Sequence, residues 1–196
     1  MRIVVGVSGA SGAVYGLELL RRLHAPGHEV HAVVSPYGMR VLDHECGIRP
    51  GDIEALAHRL YDHGDMTAPI ASGSFSVEAM AVAPCSMRTL AAIANGLAGD
   101  LLCRAADVMI KERRPLILGV RATPLSPLHL ENMLKLSRIG VTIMPLCPGF
   151  YHRPETLQDI ADMMAGRILD SLGVPNDVCP RWNGMPGDVR QGGSHE

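Results

Sequence analysis

The sequence predicts a single α/β domain in which helices cover both faces of a parallel sheet. Short apolar runs rich in β-branched residues alternate along the chain with segments of helical periodicity, and such alternation produces right-handed crossovers between parallel strands. The chain has 196 residues, of which 47% are hydrophobic and 19% charged. This size and composition suffice for one sizeable core. No internal repeat or linker-like segment divides the chain.

Five strands and seven helices are predicted in order along the chain. The strands comprise residues 2–7, 29–34, 79–83, 116–120 and 141–144. The helices comprise residues 14–23, 37–45, 52–61, a small-residue stretch ending at residue 94, and then 101–112, 127–139 and 155–172. Because Pro, Gly, Asn and Asp dominate the last part of the chain, we expect a domain over 1–182 and a mobile C-terminal tail over 183–196.

Composition argues against several classes of function. The formal net charge is −2, and Lys and Arg are spread along the chain, so nucleic acid is not expected as a partner. The five cysteines stand singly, which indicates neither a disulfide framework nor a zinc knuckle and is typical of the cytoplasm. No leader or apolar run of about 18 residues predicts a membrane span. No histidine pattern indicates a metal site.

The first strand leads into the glycine-rich loop GVSGASG at residues 6–12. Its glycine spacing differs from both the dinucleotide fingerprint and the P-loop. The loop still has the properties of an anion site, because glycines let backbone N–H groups approach a ligand, Ser8 and Ser11 add hydroxyls, and a helix begins directly afterwards. A tight strand-to-helix turn without a ligand is the alternative.

The end of the second strand bears on the choice of nucleotide. An NAD site requires an acidic residue there to hold the ribose hydroxyls, but the strand ends at Val34 and is followed by Ser35 and Pro36. A mononucleotide such as FMN is therefore favoured. Ligands of open α/β sheets bind at the carboxyl ends of the strands, and the residues at those ends are Gly9 to Ser11, Ser35, Cys85 to Thr89, and Arg121.

Seven segments together resemble the UbiX-type flavin prenyltransferases, a family that includes the B subunits of phenolic-acid decarboxylase systems. They are GVSGASGAVYG, SGSF, APCSMRTL, RAADVMIKERRPL, RATPLS, PGFYHRP and GRILD. The resemblance implies a Rossmann-type, flavodoxin-like fold and a homo-oligomer, typically a dodecamer, with active sites at subunit interfaces. Members join a dimethylallyl group from dimethylallyl phosphate to N5 and C6 of reduced FMN without a metal. The product, prenylated FMN, serves a UbiD-type decarboxylase.

The same resemblance assigns roles to particular residues of this chain. It implies that FMN is bound by Gly9, Ala10, Ser11, Ser35, Ser86, Met87, Arg88, Thr89 and Arg121. It implies that the prenyl phosphate is bound by Arg104, Lys111, Tyr151 and Arg167. Catalytic roles are implied for Ser11, for Phe75, which lines the prenyl pocket, and for Glu45, supplied across the subunit interface. Trp182 corresponds to a tryptophan near the site.

The chemistry of the prenyl phosphate agrees with this division. A dianion requires cations and five carbons require apolar or aromatic surface, and a clamp of Arg and Lys stabilises a phosphate leaving group without Mg²⁺. A π face stabilises cationic character on the allyl group. Each residue also has a plainer interpretation. These are a solvated helix face for Arg104 and Lys111, a capping contact for Tyr151, core packing for Phe75, an interface anchor for Trp182 and a surface carboxylate for Glu45.

Two positions depart from the family pattern. Arg121 is followed by Ala122, where the family commonly has a glutamate proposed as an acid or base near the departing phosphate. Four alternatives follow from this replacement. The enzyme is slow, the phosphate itself carries the proton, Glu45 takes over the role, or the chain only binds flavin as a carrier. Arg88 replaces the usual lysine and keeps the charge. A flavin-dependent cysteine decarboxylase is a further alternative, for which His44 is the only candidate catalytic histidine.

Overall fold

A computed structural model of the chain describes residues 1–184, so the predicted tail lies outside the described residues except for its first two positions. Within residues 1–184, six strands and seven α-helices are formed. In chain order they are β1 (Arg2–Val7), α1 (Ala13–His24), β2 (Glu29–Val34), α2 (Pro36–Cys46), α3 (Pro50–Leu56), β3 (Arg59–Tyr61), a short 3-10 helix (Pro69–Ala71), β4 (Ala79–Cys85), α4 (Met87–Ala94), α5 (Leu101–Lys111), β5 (Leu116–Val120), α6 (Pro127–Arg138), β6 (Thr142–Pro145) and α7 (Leu157–Leu172).

The strands form one sheet in the order β3-β2-β1-β4-β5-β6, and all neighbouring strands are parallel. This is the strand order of the Rossmann fold, and without the short edge strand β3 the remaining order corresponds to that of flavodoxin. The predicted fold class, a Rossmann or flavodoxin-like parallel sheet with helices on both faces, is confirmed.

The region predicted as a helix over 52–61 divides into a helix and a strand. Helix α3 ends at Leu56, and Ala57 adopts an extended conformation with φ −110° and ψ 149°. The next residues form β3, in which Arg59 to Tyr61 pair with His31 to Val33 of β2. The Tyr61 side chain is buried in the apolar core that also contains side chains of α4 and α5. This burial favours the extended backbone over continuation of the helix. The prediction of five strands was therefore short by one.

Two apolar cores lie on opposite faces of the sheet. One contains side chains of α1, α2, α3 and α7, and the other contains side chains of α4, α5 and α6. Gly16 lets α1 lie directly on β4, since a Cβ at this position would come within 2.0 Å of the Ala83 carbonyl oxygen. This close approach fixes where the loop before α1 meets the end of β4. Among residues 1–184, no helix combines the length and apolar character needed to cross a bilayer.

Candidate active site

The loops that follow β1, β2, β4 and β5 meet at the carboxyl edge of the sheet, as the sequence predicted. Three backbone hydrogen bonds tie them together, from Ser35 N to Val7 O (2.9 Å), from Ser8 N to Pro84 O (3.1 Å) and from Arg121 N to Cys85 O (3.2 Å). These bonds extend the pairing of the strands by one residue beyond their ends. We call the four joined loops the flavin edge.

Ser8 holds the flavin edge together and does not face a ligand. The residue is 1% exposed. Its hydroxyl donates to Pro84 O (2.9 Å) and accepts from Ser86 N (2.7 Å). Both of its hydrogen bonds are internal, and of the two loop serines only Ser11 is exposed. The expectation that both hydroxyls serve a bound anion was wrong for Ser8.

Glu45 occupies the start of α1. Its Oε2 atom accepts hydrogen bonds from Gly12 N and Ala13 N, both at 2.9 Å, and Gly12 adopts the left-handed conformation with φ 91° that this turn requires. Partial burial raises the pKa of Glu45, but hydrogen bonds from Ser11 and these two amides, with the charge of Arg121, outweigh it and hold the pKa below its usual value.

Two expectations change with this geometry. The start of α1 was predicted to receive the ligand's phosphate, but a carboxylate of the chain itself already uses those amides. The resemblance also implied that Glu45 reaches the site from another subunit. In the structure Glu45 contacts the loop of its own chain, because the end of α2 lies beside the start of α1.

The N–H groups at the start of α1 already donate to Glu45, whereas those at the start of α4 remain available to a ligand. Ser86 caps this helix, and its Oγ accepts from Thr89 N (3.3 Å) and donates to Thr89 Oγ1 (3.1 Å). The N–H groups of Met87 and Arg88 belong to the first turn, where no intrahelical acceptor exists. Together with the helix dipole they create a positive region at the flavin edge. Arg88 also lines a cavity of about 580 Å³ together with residues of α4 and the loop before α5.

The loop after β6 reaches the same edge. Leu146 N donates to Val120 O (3.0 Å), and Gly149 N contacts Met163 Sδ at 3.3 Å. Tyr15 lies close enough to Cys147 and Arg121 to interact electrostatically with both, although burial is the main cause that raises the pKa of Tyr15. Tyr15 was not among the predicted site residues, because a tyrosine on an amphipathic helix looks like core packing in the sequence.

Tyr151 and Arg167 belong to one connected group. The rings of Tyr151 and Trp182 meet edge to face with centroids 5.7 Å apart. Arg181, next to Trp182, donates two hydrogen bonds to the Asp170 carboxylate at 2.5 and 2.8 Å. Arg167 donates to the same carboxylate at 3.3 Å. We call these five residues the Tyr151 patch. The spacing of Arg167 and Asp170 along the helix could have indicated their pairing.

Phe75, Arg104 and Lys111 form a second group, where residues 71–75 pack on α5. Arg104 Nε donates to the Ala71 carbonyl at 3.0 Å. Lys111 forms an ion pair with Glu112 beside Gly73. The Phe75 ring lies at the amino edge of the sheet, where the guanidinium of Arg2 sits 4.2 Å from the ring centroid. We call Phe75, Arg104 and Lys111 the Phe75 cluster.

A single chain does not bring Phe75 to the flavin edge. Phe75 contacts the first residue of β1, whereas the glycine loop follows the last, and a six-residue strand is about 20 Å long. Helices α5 and α7 also pack on opposite faces of the sheet. The four residues predicted to bind prenyl phosphate are thus divided into two pairs, and only the pair in the Tyr151 patch is connected to the loops of the flavin edge.

The cysteines are unpaired, and the two most buried ones, Cys85 and Cys103, have raised pKa values. All five cysteines are free thiols. Burial raises the pKa of Cys85 strongly and that of Cys103 to about 12, so neither is poised as a thiolate. In the described part of the chain, no cluster of three or more His, Cys, Asp or Glu side chains is arranged to hold a metal ion.

Comparison with known proteins gives the family. The sequence pattern described as Flavoprotein matches residues 1–171. A relative from Methanothermobacter thermautotrophicus, named flavin prenyltransferase UbiX, is 47% identical over 182 residues, covering 93% of this chain and 95% of the relative.

Solved structures agree with this. AnUbiX in complex with FMN and dimethylallyl pyrophosphate superposes with a TM-score of 0.92 at 43% identity, covering 94% of this chain and 98% of that chain. A dodecameric FMN-dependent UbiX-like decarboxylase from Escherichia coli O157:H7 gives a TM-score of 0.91 at 44% identity, covering 94% and 100%. A peptidyl-cysteine decarboxylase, at 17% identity and a TM-score of 0.58, shares the fold alone. The chain therefore belongs to the flavoprotein family and, within it, to the UbiX-type flavin prenyltransferases.

Proposed function

We propose that this chain is a flavin prenyltransferase, which joins a dimethylallyl group from dimethylallyl phosphate to N5 and C6 of reduced FMN. The observation that carries the proposal is a second cationic group beside the donors of the flavin edge: the Tyr151 patch, whose Tyr151 belongs to the loop after β6 that reaches this edge. A flavin carrier would require only the first. The relative named flavin prenyltransferase and the solved complex with FMN and dimethylallyl pyrophosphate support the same conclusion.

The donors at the flavin edge fit FMN. The free amides at the start of α4 suit the FMN phosphate, with Ser35, Ser86 and Thr89 beside them, because an anion gains from both hydrogen bonds and the helix dipole. Backbone groups of Gly9, Ala10 and Ser11 border the region left for the flavin ring, and the exposed Arg121 lies next to it. Reduced FMN supplies the nucleophilic N5 and C6 of the reaction; the protein binds it and orients it.

We propose that a neighbouring copy completes the site. Phe75 lies about one strand length from the flavin edge of its own chain, and Arg104 and Lys111 lie on α5, across the sheet from α7. We therefore infer that another copy presents these residues to the prenyl phosphate. Arg104 and Lys111 from one copy and Arg167 from the other would then surround the phosphate, and Phe75 would cover the allyl carbons. Assembly into a dodecamer, the state of the structural relative from Escherichia coli O157:H7, supports this arrangement.

Three further assignments rest on the same proposal. The product, prenylated FMN, serves decarboxylation by a partner enzyme, and we propose that this partner is a UbiD-type decarboxylase. The free state of all five cysteines suits a reducing compartment, and we propose the cytoplasm. We propose residues 1–182 as the functional domain, since Arg181 and Trp182 still contribute to the Tyr151 patch.

The test is a single-turnover reaction without oxygen. Purified protein is given reduced FMN and dimethylallyl phosphate, and the flavin is extracted for mass spectrometry. We expect a product heavier than FMN by one C5H8 group, and none with the Lys111→Ala variant, whose FMN binding should remain intact. Unmodified FMN after prolonged incubation of the wild-type protein would contradict the proposal.

A carrier of FMN or prenylated FMN is the second candidate, and Ala122 is the observation that favours it. Because the family's acid or base is missing beside Arg121, binding without rapid chemistry is compatible with the site. The Ala122→Glu variant discriminates between the two. A large gain in turnover indicates a weakened catalyst, whereas an absence of turnover in both forms indicates a carrier.

A further inference from the structure

The Asp170 carboxylate lies between two arginines that hold it unequally. Arg181 donates from Nη1 to Oδ2 at 2.5 Å and from Nη2 to Oδ1 at 2.8 Å, a two-pronged ion pair. Arg167 makes one longer hydrogen bond, from Nη1 to Oδ2 at 3.3 Å. Asn176 Nδ2 donates to Oδ1 at 3.0 Å. Asp170 is thus satisfied mainly by Arg181, and most N–H donors of Arg167 remain uncommitted to it.

This arrangement sets the charge of the Tyr151 patch. Hydrogen bonding to Arg181 is the main cause that lowers the pKa of Asp170, so the carboxylate is anionic at neutral pH. Two guanidinium groups and one carboxylate leave a net charge of +1. Without Arg181, Asp170 would have Arg167 as its only cationic partner, and the pair would be neutral. A neutral pair attracts a phosphate dianion less than a cation does.

We propose that Arg181 is a positioning residue for the prenyl phosphate. By satisfying Asp170 it keeps the Arg167 guanidinium available to an allylic phosphate monoester, and it also holds Trp182 against Tyr151. The inference rests on the proposed function, because that function supplies the phosphate ligand. It adds a role for two residues, Asp170 and Arg181, to which neither the resemblance nor the flavin edge assigned any.

The experiment is a double-mutant cycle on the FMN-loaded oligomer. Calorimetric titration of dimethylallyl phosphate into protein holding oxidised FMN measures binding without turnover. Because the loss of one charge-assisted hydrogen bond weakens binding about ten-fold, Arg181→Gln should raise both Kd and KM by about ten-fold. Its kcat should stay within about two-fold, since ground-state binding is what changes.

Removing the competing carboxylate should reverse the effect. In the Asp170→Asn/Arg181→Gln double variant, Arg167 again carries an uncompensated charge, and we expect Kd to return to within about three-fold of wild type. Arg21→Gln is the matched control, since Arg21 also pairs with a helical carboxylate, Glu18, but lies outside the Tyr151 patch. It should leave Kd unchanged. FMN binding and thermal unfolding are measured for every variant to identify any that misfold.

Two results would overturn the inference. A double variant as weak as Arg181→Gln would mean that Arg181 contacts the phosphate itself. An Arg181→Gln variant with wild-type Kd would mean that Arg167 is available to the phosphate whether or not Arg181 pairs with Asp170. Failure of the proposed function is distinguishable from either result, because the wild-type protein would then bind dimethylallyl phosphate in the calorimeter and yet form no prenylated flavin.

Discussion

Replacing Glu45 separates its role at the start of α1 from any role in chemistry. Glu45→Gln keeps an oxygen that can accept from Gly12 N and Ala13 N but removes the charge, whereas Glu45→Ala removes both. Loss of a helix-capping acceptor costs about 0.5–2 kcal/mol, and the charge of an exposed carboxylate at a helix start contributes about 0.3–1 kcal/mol of that. We therefore expect Glu45→Ala to destabilise the protein roughly twice as much as Glu45→Gln.

The pH dependence follows from the lowered pKa of Glu45. A carboxyl whose folded-state pKa lies below its unfolded value stabilises the fold fully above the unfolded value, about 4.3, and loses this contribution as pH falls through the folded value. Urea unfolding at fixed protein concentration should show a gap in unfolding free energy between wild type and Glu45→Gln at pH 7 that narrows as the pH falls below the unfolded-state pKa. Glu54→Gln, which removes another exposed carboxylate, is the control. An equal gap at pH 7 and below that pKa would refute the reasoning.

Three further predictions concern packing, assembly and the missing acid. Gly16→Ala places a Cβ 2.0 Å from the Ala83 carbonyl oxygen, so α1 must shift. Overpacking of this kind costs about 1–3 kcal/mol of unfolding free energy, which thermal unfolding measures. An unchanged Tm would contradict the close approach of α1 to β4. Co-expression of Lys111→Ala with Arg167→Ala should restore turnover that each variant lacks alone. In a mixed oligomer, some sites combine the intact Arg167 of one copy with the intact Lys111 of the other. If no turnover is recovered, both residues belong to a site formed by one chain. Ala122→Glu should raise turnover by about 10²-fold or more, with Ala122→Gln as the control that gains little.

The sequence predicted the loops of the flavin edge well because the rule behind the prediction is topological. Once strands and helices alternate, the ends of parallel strands must meet at one edge, and residues as far apart as Ser35 and Arg121 fall together. It failed at β3, because three residues of an edge strand are too few to show a period of two after a helix. It also failed for Glu45, since no local pattern indicates that a carboxylate will cap a helix more than 30 residues earlier in the chain.

The division of the prenyl-phosphate residues had a different cause. Resemblance transfers residues by their position in a motif, and it carries no information about which copy of the chain presents them to a given site. Phe75 and Lys111 match the family motifs, yet both lie where the chain turns back at the amino edge of the sheet. Only the geometry of the fold, with α5 and α7 on opposite faces, separates them from Tyr151 and Arg167, and this separation supports the proposal that a second copy completes the site.

Ala122 leaves the proton of N5 to be accepted by another group, and the structure distinguishes two of the alternatives. Glu45 is the carboxylate that interacts with Arg121, but its pKa lies below the usual value, and its Oε2 already accepts two amide hydrogen bonds. A phosphate monoester has its second pKa near 6, and the inorganic phosphate released when the C–O bond breaks is a stronger base than the monoester. General base catalysis works best when the pKa of the base lies near the working pH. The departing phosphate is therefore the better-matched acceptor, and a glutamate at position 122 would accelerate the reaction by supplying a second one.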